Sequence, residues 1–266
     1  MRLNLSLNNI LCADGVRAIL FDLDGTLRYN HPTFAEAFYD IAARLGAPVT
    51  DESRRRASRW LHYYWAKSDE FVADRNAFGD QSEAFWIHHD LLFLGALGCP
   101  PGQASDLALQ AYQHMIDEFK PQDCVFPDVT PTLQVLKEAG YSLAVLSNRS
   151  RPYQEQLEKL GLAGYFEFAM HAGEVGAWKP GPRIFQQGVE RLSVRPEQAL
   201  YVGDNYYADV VGAQRAGLNP ILLDPDGLFP EAECPVIRRL SDLPGLMIEW
   251  PTALKQLSPP QASKRN

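Results

Sequence analysis

The chain holds 266 residues, with Lys plus Arg at 25 against Asp plus Glu at 33, a formal net charge of −8. At about 150 residues per domain, that length allows one large domain or two modest ones. Hydrophobic residues at 46% and charged residues at 22% exclude a disordered, collagen-like or coiled-coil chain, and the acidic balance argues against a nucleic-acid partner.

The longest apolar run, Leu91 to Cys99, falls well short of the roughly 20 residues a membrane helix needs. The N-terminus alternates Leu with Asn and Ser after Arg2, without the apolar stretch of a secretory signal. Cys12, Cys99, Cys124 and Cys234 are far apart and read as free thiols in a reducing compartment. These features predict a soluble cytoplasmic protein with no membrane partner.

Val16 to Phe21 is a short apolar run ending at Asp22, the pattern of a buried strand. From Asn30 to Lys120 the spacing turns helical. Phe34, Ala37, Phe38, Ile41 and Leu45 form one apolar stripe, and Ala57, Trp60, Leu61, Tyr64 and Trp65 another behind Thr50 as N-cap. Phe85, His88, Leu91, Leu92 and Gly95 suggest a third helix, and Leu107, Ala111, Tyr112, Met115 and Phe119 a fourth. No segment of this block reads as a strand. After Pro121 the chain alternates: helix from Val129 to Ala139, strand from Tyr141 to Leu146, helix from Arg151 to Leu160, strand from Phe166 to Met170. A helix from Pro182 to Leu192, a strand from Ala199 to Val202, a helix from Tyr206 to Ala216 and a strand from Pro220 to Leu223 follow.

Strands alternating with single helices imply crossover units, hence an α/β fold: a doubly wound parallel sheet, a Rossmann-like core, with a helical domain inserted. The expected division is 1–29 with 121–250 as the α/β core, 30–120 as the helical insertion, and 251–266 as a frayed tail.

Ligands of an open parallel sheet sit beyond the carboxyl ends of its strands. There the sequence places Asp22 and Asp24, then Ser147-Asn148, then Gly203-Asp204 with Asp209 beyond, and Lys179 in a loop between the last two. Carboxylates gathered in this way repel one another unless a hard cation joins them. Mg²⁺ suits the part, because it takes a few oxygen ligands and completes its shell with water and substrate phosphate. A carboxylate is also a nucleophile that needs no general base. Lys179 and a cation would keep Asp22 ionised and offset its repulsion by a phosphoryl group. Asp24, given a raised pKa, would protonate the leaving oxygen and later activate water.

In these residues the chain resembles the haloacid dehalogenase-like (HAD) hydrolase superfamily. The four motifs stand in the family's order: Asp22-x-Asp24-Gly25-Thr26; Ser147-Asn148; Lys179-Pro180-Gly181-Pro182-x-Ile184-Phe185; and Gly203-Asp204 with Asp209 five positions on. The resemblance covers roughly residues 16–28 and 121–245, and the helical block matches in placement the all-α cap of many members, which closes over the site. It implies Asp22 as the phosphorylated nucleophile, Asp24 as general acid/base, and Mg²⁺ on the Asp22 carboxylate, the Asp24 carbonyl and Asp204. It further implies Thr26, Ser147, Asn148 and Lys179 as substrate-binding residues, Lys179 bridging Asp22 and the phosphate, and Asp209 as a brace. The implied activity is phosphatase action on a small phosphorylated metabolite. A sugar phosphomutase, a dehalogenase and a non-catalytic binding module are the rivals.

Two positions depart from the pattern: Arg28-Tyr29-Asn30-His31 stands where many members carry an acidic residue, and Asn205 replaces a common Ser. Plainer readings cover the remaining features. Arg54, Arg55, Arg56 and Arg59 read as a solvated helix face, and adjacent His88 and His89 as a poor metal pair. Trp60, Tyr63, Tyr64, Trp65 and Trp86 read as helix packing, and Cys99 and Cys124 as buried thiols. His171 stands open between a site role and none.

Overall fold

The computed structural model describes residues 15–248; Cys12 and the tail from 251 lie outside the described residues. The described residues divide into two compact units: residues 15–27, 126–204 and 209–248, and residues 28–125 with 205–208.

The first unit is built on six parallel strands: β1 (Ala18–Phe21), β4 (Ser142–Ser147), β5 (Phe168–His171), β6 (Ala199–Gly203), β7 (Asn219–Leu223) and β8 (Val236–Ile237). Their order is β5-β4-β1-β6-β7-β8. Strand β1 is fully buried, as the apolar run before Asp22 requires when helices cover both faces. Phe21 pairs with Val145 of β4 on one side and with Val202 of β6 on the other. Asp22, Ser147 and Asp204 therefore leave the sheet at one edge. The chain moves outward from β1 through β4 to β5, then returns to β6 on the far side. This reversal opens the crevice where doubly wound sheets bind ligands.

The helices of this unit are α6 (Val129–Glu138), α7 (Gln154–Lys159), α8 (Ala172–Val175), α9 (Pro182–Arg191), α10 (Val211–Arg215) and α11 (Leu243–Ile248). Helix α9 shows why the sequence folds as it does. Pro182 occupies the first turn, where its missing N–H costs nothing. Ile184, Phe185, Gly188 and Val189 form its buried face, packed with Leu20, Leu146 and Tyr201 in one core. The expected helix from Tyr206 is a π turn over Tyr206–Val210 before α10. Asn205 Oδ1 accepts from the Tyr207 and Ala208 amides at 3.0 and 2.9 Å, which ties down the start of that turn.

The second unit carries α1 (Phe34–Arg44), α2 (Asp51–Trp65), α3 (Asp69–Phe78), α4 (Glu83–Leu97) and α5 (Pro101–Glu118). Thr33 and Thr50 each close a capping box with the third residue of the following helix. The aromatic set packs internally. His89 is fully buried, with the rings of Trp60, Tyr64, Trp65 and Trp86 at 5.3 to 5.6 Å from its own. His88 Nε2 meets Asp74 and His89 Nδ1 meets Asp90, each at 3.2 Å, so the two histidines share no ligand. Cys99 is buried, whereas Cys124 is only half-buried.

Two expectations for this block are corrected. A strand opens it: β2 (Arg28–His31) runs into its first residues and pairs antiparallel with β3 (Gln122–Val125), just past its end. Their polar sequences hide them, because backbone pairing and an Arg28–Asp123 ion pair at 2.5 Å hold the ribbon. Arg28 also bonds Asn30 Oδ1. The unpredicted α3 buries only Phe71 and Asp74, too few positions to make a stripe. No helix among the described residues is long and apolar enough to cross a membrane.

Candidate active site

Asp22 follows β1, and its amide donates to the Val202 carbonyl at 2.9 Å, which extends the sheet ladder and fixes its direction. Its side chain is buried. Lys179 Nζ donates to Asp22 Oδ1 at 2.5 Å, to Asp209 Oδ1 at 2.7 Å and to Tyr201 Oη at 3.0 Å. The Tyr201 hydroxyl in turn donates to the Leu146 carbonyl at 3.0 Å. The Lys179 backbone is fixed from the second motif: Asn148 Nδ2 donates to its carbonyl at 3.0 Å, and its amide donates to Asn148 Oδ1 at 2.7 Å. Lys179 is thus held at both ends while its ammonium is shared between two acids.

Asp204 follows β6. Thr26, fully buried, donates its hydroxyl to Asp204 Oδ1 at 3.2 Å. Gly25 has φ +90°, and a Cβ there would sit 2.4 Å from Asp204 Oδ2. Gly203 likewise leaves room for Asp209, whose Oδ2 would lie 2.3 Å from a Cβ. Both glycines are needed because carboxylates occupy the space of their missing side chains. Asp22, Asp204 and Asp209 each offer an oxygen within 4.8 Å of the others.

The electrostatics follow from burial. Desolvation pushes the Asp22 carboxyl up from 3.8 to about 7; Lys179 opposes this, while Asp209 and Asp24 reinforce it. Desolvation, then Asp22 and Asp209, push Asp204 well above the usual carboxylate range. Burial opposes the charge of Lys179, yet Asp209 and Asp22 hold its pKa well above the ordinary value. The lysine therefore stays charged, and being shared it cannot fully offset the cost of ionising Asp22. An all-oxygen cluster with this excess of negative charge suits a hard divalent cation.

Asp24, two residues past Asp22, is engaged by a residue the sequence reading did not single out. Arg149 donates from Nε to Oδ2 at 2.8 Å and from Nη2 to Oδ1 at 2.7 Å. The only clue in the sequence was its place one residue after Asn148, on the same sheet edge. Tyr201 was also missed, because a tyrosine within an apolar strand reads as core. Ser147 is buried at the end of β4. His171 ends β5, with Nδ1 3.5 Å from Glu174 Oε2, so its nearest ionic partner is Glu174 rather than the carboxylate cluster.

A family model described as haloacid dehalogenase-like hydrolase matches residues 16–217. The chain belongs to this family. It is an enzyme of the HAD-like hydrolase class, and its motif residues are the ones gathered at the sheet edge. Among its relatives is a glyceraldehyde 3-phosphate phosphatase of Methanopyrus kandleri, 32% identical over 90% of this chain and 95% of that protein. An (S)-2-haloacid dehalogenase 4A of Burkholderia cepacia is 28% identical over 92% and 98%. The crystal structure of a HAD phosphatase from Thermococcus onnurineus, 27% identical, superimposes with a TM-score of 0.52 over 87% of this chain and 98% of that one.

Proposed function

We propose that this HAD-like hydrolase is a Mg²⁺-dependent phosphatase that hydrolyses a small phosphate monoester through an aspartyl-phosphate on Asp22. The observation that carries the reading is the set of buried Asp22, half-buried Asp204 and buried Asp209 around one shared lysine. The Asp22 carboxylate, the Asp24 carbonyl and Asp204 would hold the cation, while Asp209, bound to Lys179, braces the lysine. When bound, Mg²⁺ supplies positive charge that favours ionised Asp22 and neutralises the phosphoryl oxygens.

The protein's own groups then have defined tasks. An Asp22 oxygen attacks phosphorus in line with the departing alcohol. Lys179 stabilises the charge on the phosphoryl oxygens at the moment of transfer. Asp24 donates a proton to the alcohol oxygen as its bond to phosphorus breaks. In the second half, Asp24 takes a proton from water while the water oxygen attacks phosphorus, and the bond to Asp22 breaks. Asp24 ends protonated, as it began, its first proton carried off by the alcohol and its second taken from water. Ser147 and the amides around Leu23 to Gly25 would orient the phosphoryl oxygens.

A dehalogenase, the activity named for one relative, releases halide, which leaves without a proton. It has no use for Asp24 as an acid or for a cation at Asp204. The small phosphorylated substrate is supported by the name of the Methanopyrus relative. The test is phosphate release from a panel of phosphate monoesters, with Mg²⁺ and with EDTA, using wild type and Asp22→Asn. Turnover that needs Mg²⁺ and is lost in the variant supports the proposal. Turnover retained by Asp22→Asn, or none on the whole panel, contradicts it.

A further inference from the structure

The Arg149–Asp24 fork has its own architecture. Both Asp24 oxygens accept from the guanidinium, at 2.7 and 2.8 Å, the paired geometry that arginine alone provides. Arg149 is anchored independently of Asp24. Its Nη1 donates to Gln156 Oε1 on α7, and its guanidinium lies 5.5 Å over the Tyr153 ring. The Tyr153 hydroxyl is itself bonded to the Met170 carbonyl at 2.9 Å. The backbone beneath is fixed as well. The Gly173 amide donates to the Arg149 carbonyl at 3.1 Å, and a Cβ at Gly173 would stand 2.0 Å from the Ser150 carbonyl oxygen. The Asp24 side chain, by contrast, is 41% exposed.

That contrast has a mechanistic consequence. A carboxylate with both oxygens on a guanidinium is held in one place and one plane, while each oxygen keeps a second lone pair that can carry a proton. Asp24 can therefore meet a leaving oxygen, and later a water, from the position in which the fork holds it. We propose that Arg149 is a positioning residue for Asp24, a fixed post that holds its side chain beside the nucleophile through both proton transfers. The inference rests on the phosphatase reading above, in which Asp24 is the acid and then the base. Without the fork, the Asp24 carboxylate loses the two bonds that set its plane, and misplacing a reacting group by about 1 Å can cost roughly a hundredfold in rate.

The experiment compares kcat and KM of wild type, Arg149→Gln and Arg149→Lys on phenyl phosphates of graded phenol acidity, with Mg²⁺ present. These substrates are nearly the same shape, but the poorest leaving groups need a proton and the best, a dinitrophenolate, does not. For Arg149→Gln we expect kcat/KM to fall by about tenfold to a hundredfold on phenyl phosphate and by less than about twofold on the dinitrophenyl ester. Arg149→Lys, which keeps the charge and loses the fork, should fall in between. In an Asp24→Asn background, Arg149→Gln should have no further effect on transfer from phenyl phosphate.

An equal loss on every ester, a rise in KM alone, or an additive loss in the Asp24→Asn background would overturn the assignment, the second by making Arg149 a substrate ligand. Circular dichroism and melting establish that the variants fold, and Arg149→Lys carries the comparison if Arg149→Gln does not. Wild type that releases phosphate from no ester and forms no phospho-Asp22 overturns the phosphatase reading itself, and this proposal with it. Active wild type with an equal loss in the variants overturns the role of Arg149 alone.

Discussion

Asp22→Asn should make the metal-free protein more stable while abolishing turnover. Burial raises the Asp22 carboxyl from 3.8 to about 7, so the folded protein retains a proton that the unfolded chain has released. The folded state then binds more protons than the unfolded one across this window, and stability falls as pH rises from about 4 to about 7. The full rise from 3.8 to about 7 corresponds to on the order of 4 kcal/mol, of which roughly 3 kcal/mol falls between pH 5 and pH 8. Asparagine stands in for the neutral acid and removes this slope. Urea unfolding in EDTA should therefore show wild type losing ground to the variant by that amount between the two pH values. At about 2–4 °C per kcal/mol, melting points should diverge by roughly 6–12 °C. Mg²⁺ should narrow the gap at pH 8 by binding the wild-type cluster more tightly. Parallel stability curves for the two proteins across this range would refute the argument, since they would mean that Asp22 ionises at no cost in the fold.

Other consequences are as direct. Lys179→Met removes the shared ammonium from two buried acids and should cost about 3–5 kcal/mol together with all turnover; a melting point unchanged from wild type would contradict the shared-cation geometry. Gly25→Ala forces a side chain into the space of Asp204 at a positive φ, and should destabilise by more than about 1 kcal/mol and weaken Mg²⁺ binding measured by calorimetry. Thr50→Ala deletes the N-cap of α2 at a cost of about 1 kcal/mol, readable by denaturant titration. Burial pushes the Cys234 thiol up to about 11, so at pH 8 it should react with a disulfide reagent only as fast as the protein unfolds; prompt labelling of the native chain would disprove its burial.

Much of the catalytic unit was legible because its constraints are local. The apolar run before Asp22 had to be a buried strand, and alternation after Pro121 had to make parallel crossovers, which puts every motif on one edge. What escaped the sequence depends on groups distant in the chain. Strands β2 and β3 contain Arg28, Asn30 and Asp123, and only their mutual pairing turns such polar segments into a ribbon. Helix α3 lacked a stripe, although Ser68 as N-cap and Gly79 as C-cap were available signals. Arg149 is one of 25 basic residues, and nothing local connects it to Asp24, 125 positions earlier. Tyr201 hides for the opposite reason, being a true core residue whose hydroxyl also accepts from the lysine.

The central claim is that Asp22 becomes phosphorylated, and the most direct measurement is to trap that intermediate. Asp24→Asn, which keeps the nucleophile and removes the base for the second step, would be mixed with a dinitrophenyl phosphate and Mg²⁺, quenched in acid and digested for mass spectrometry. The account predicts one phosphoryl group on the peptide containing Asp22, absent from the Asp22→Asn protein and from samples in EDTA. A phosphoryl group found on another residue, or phosphate released by a wild-type enzyme that never carries one, would contradict it.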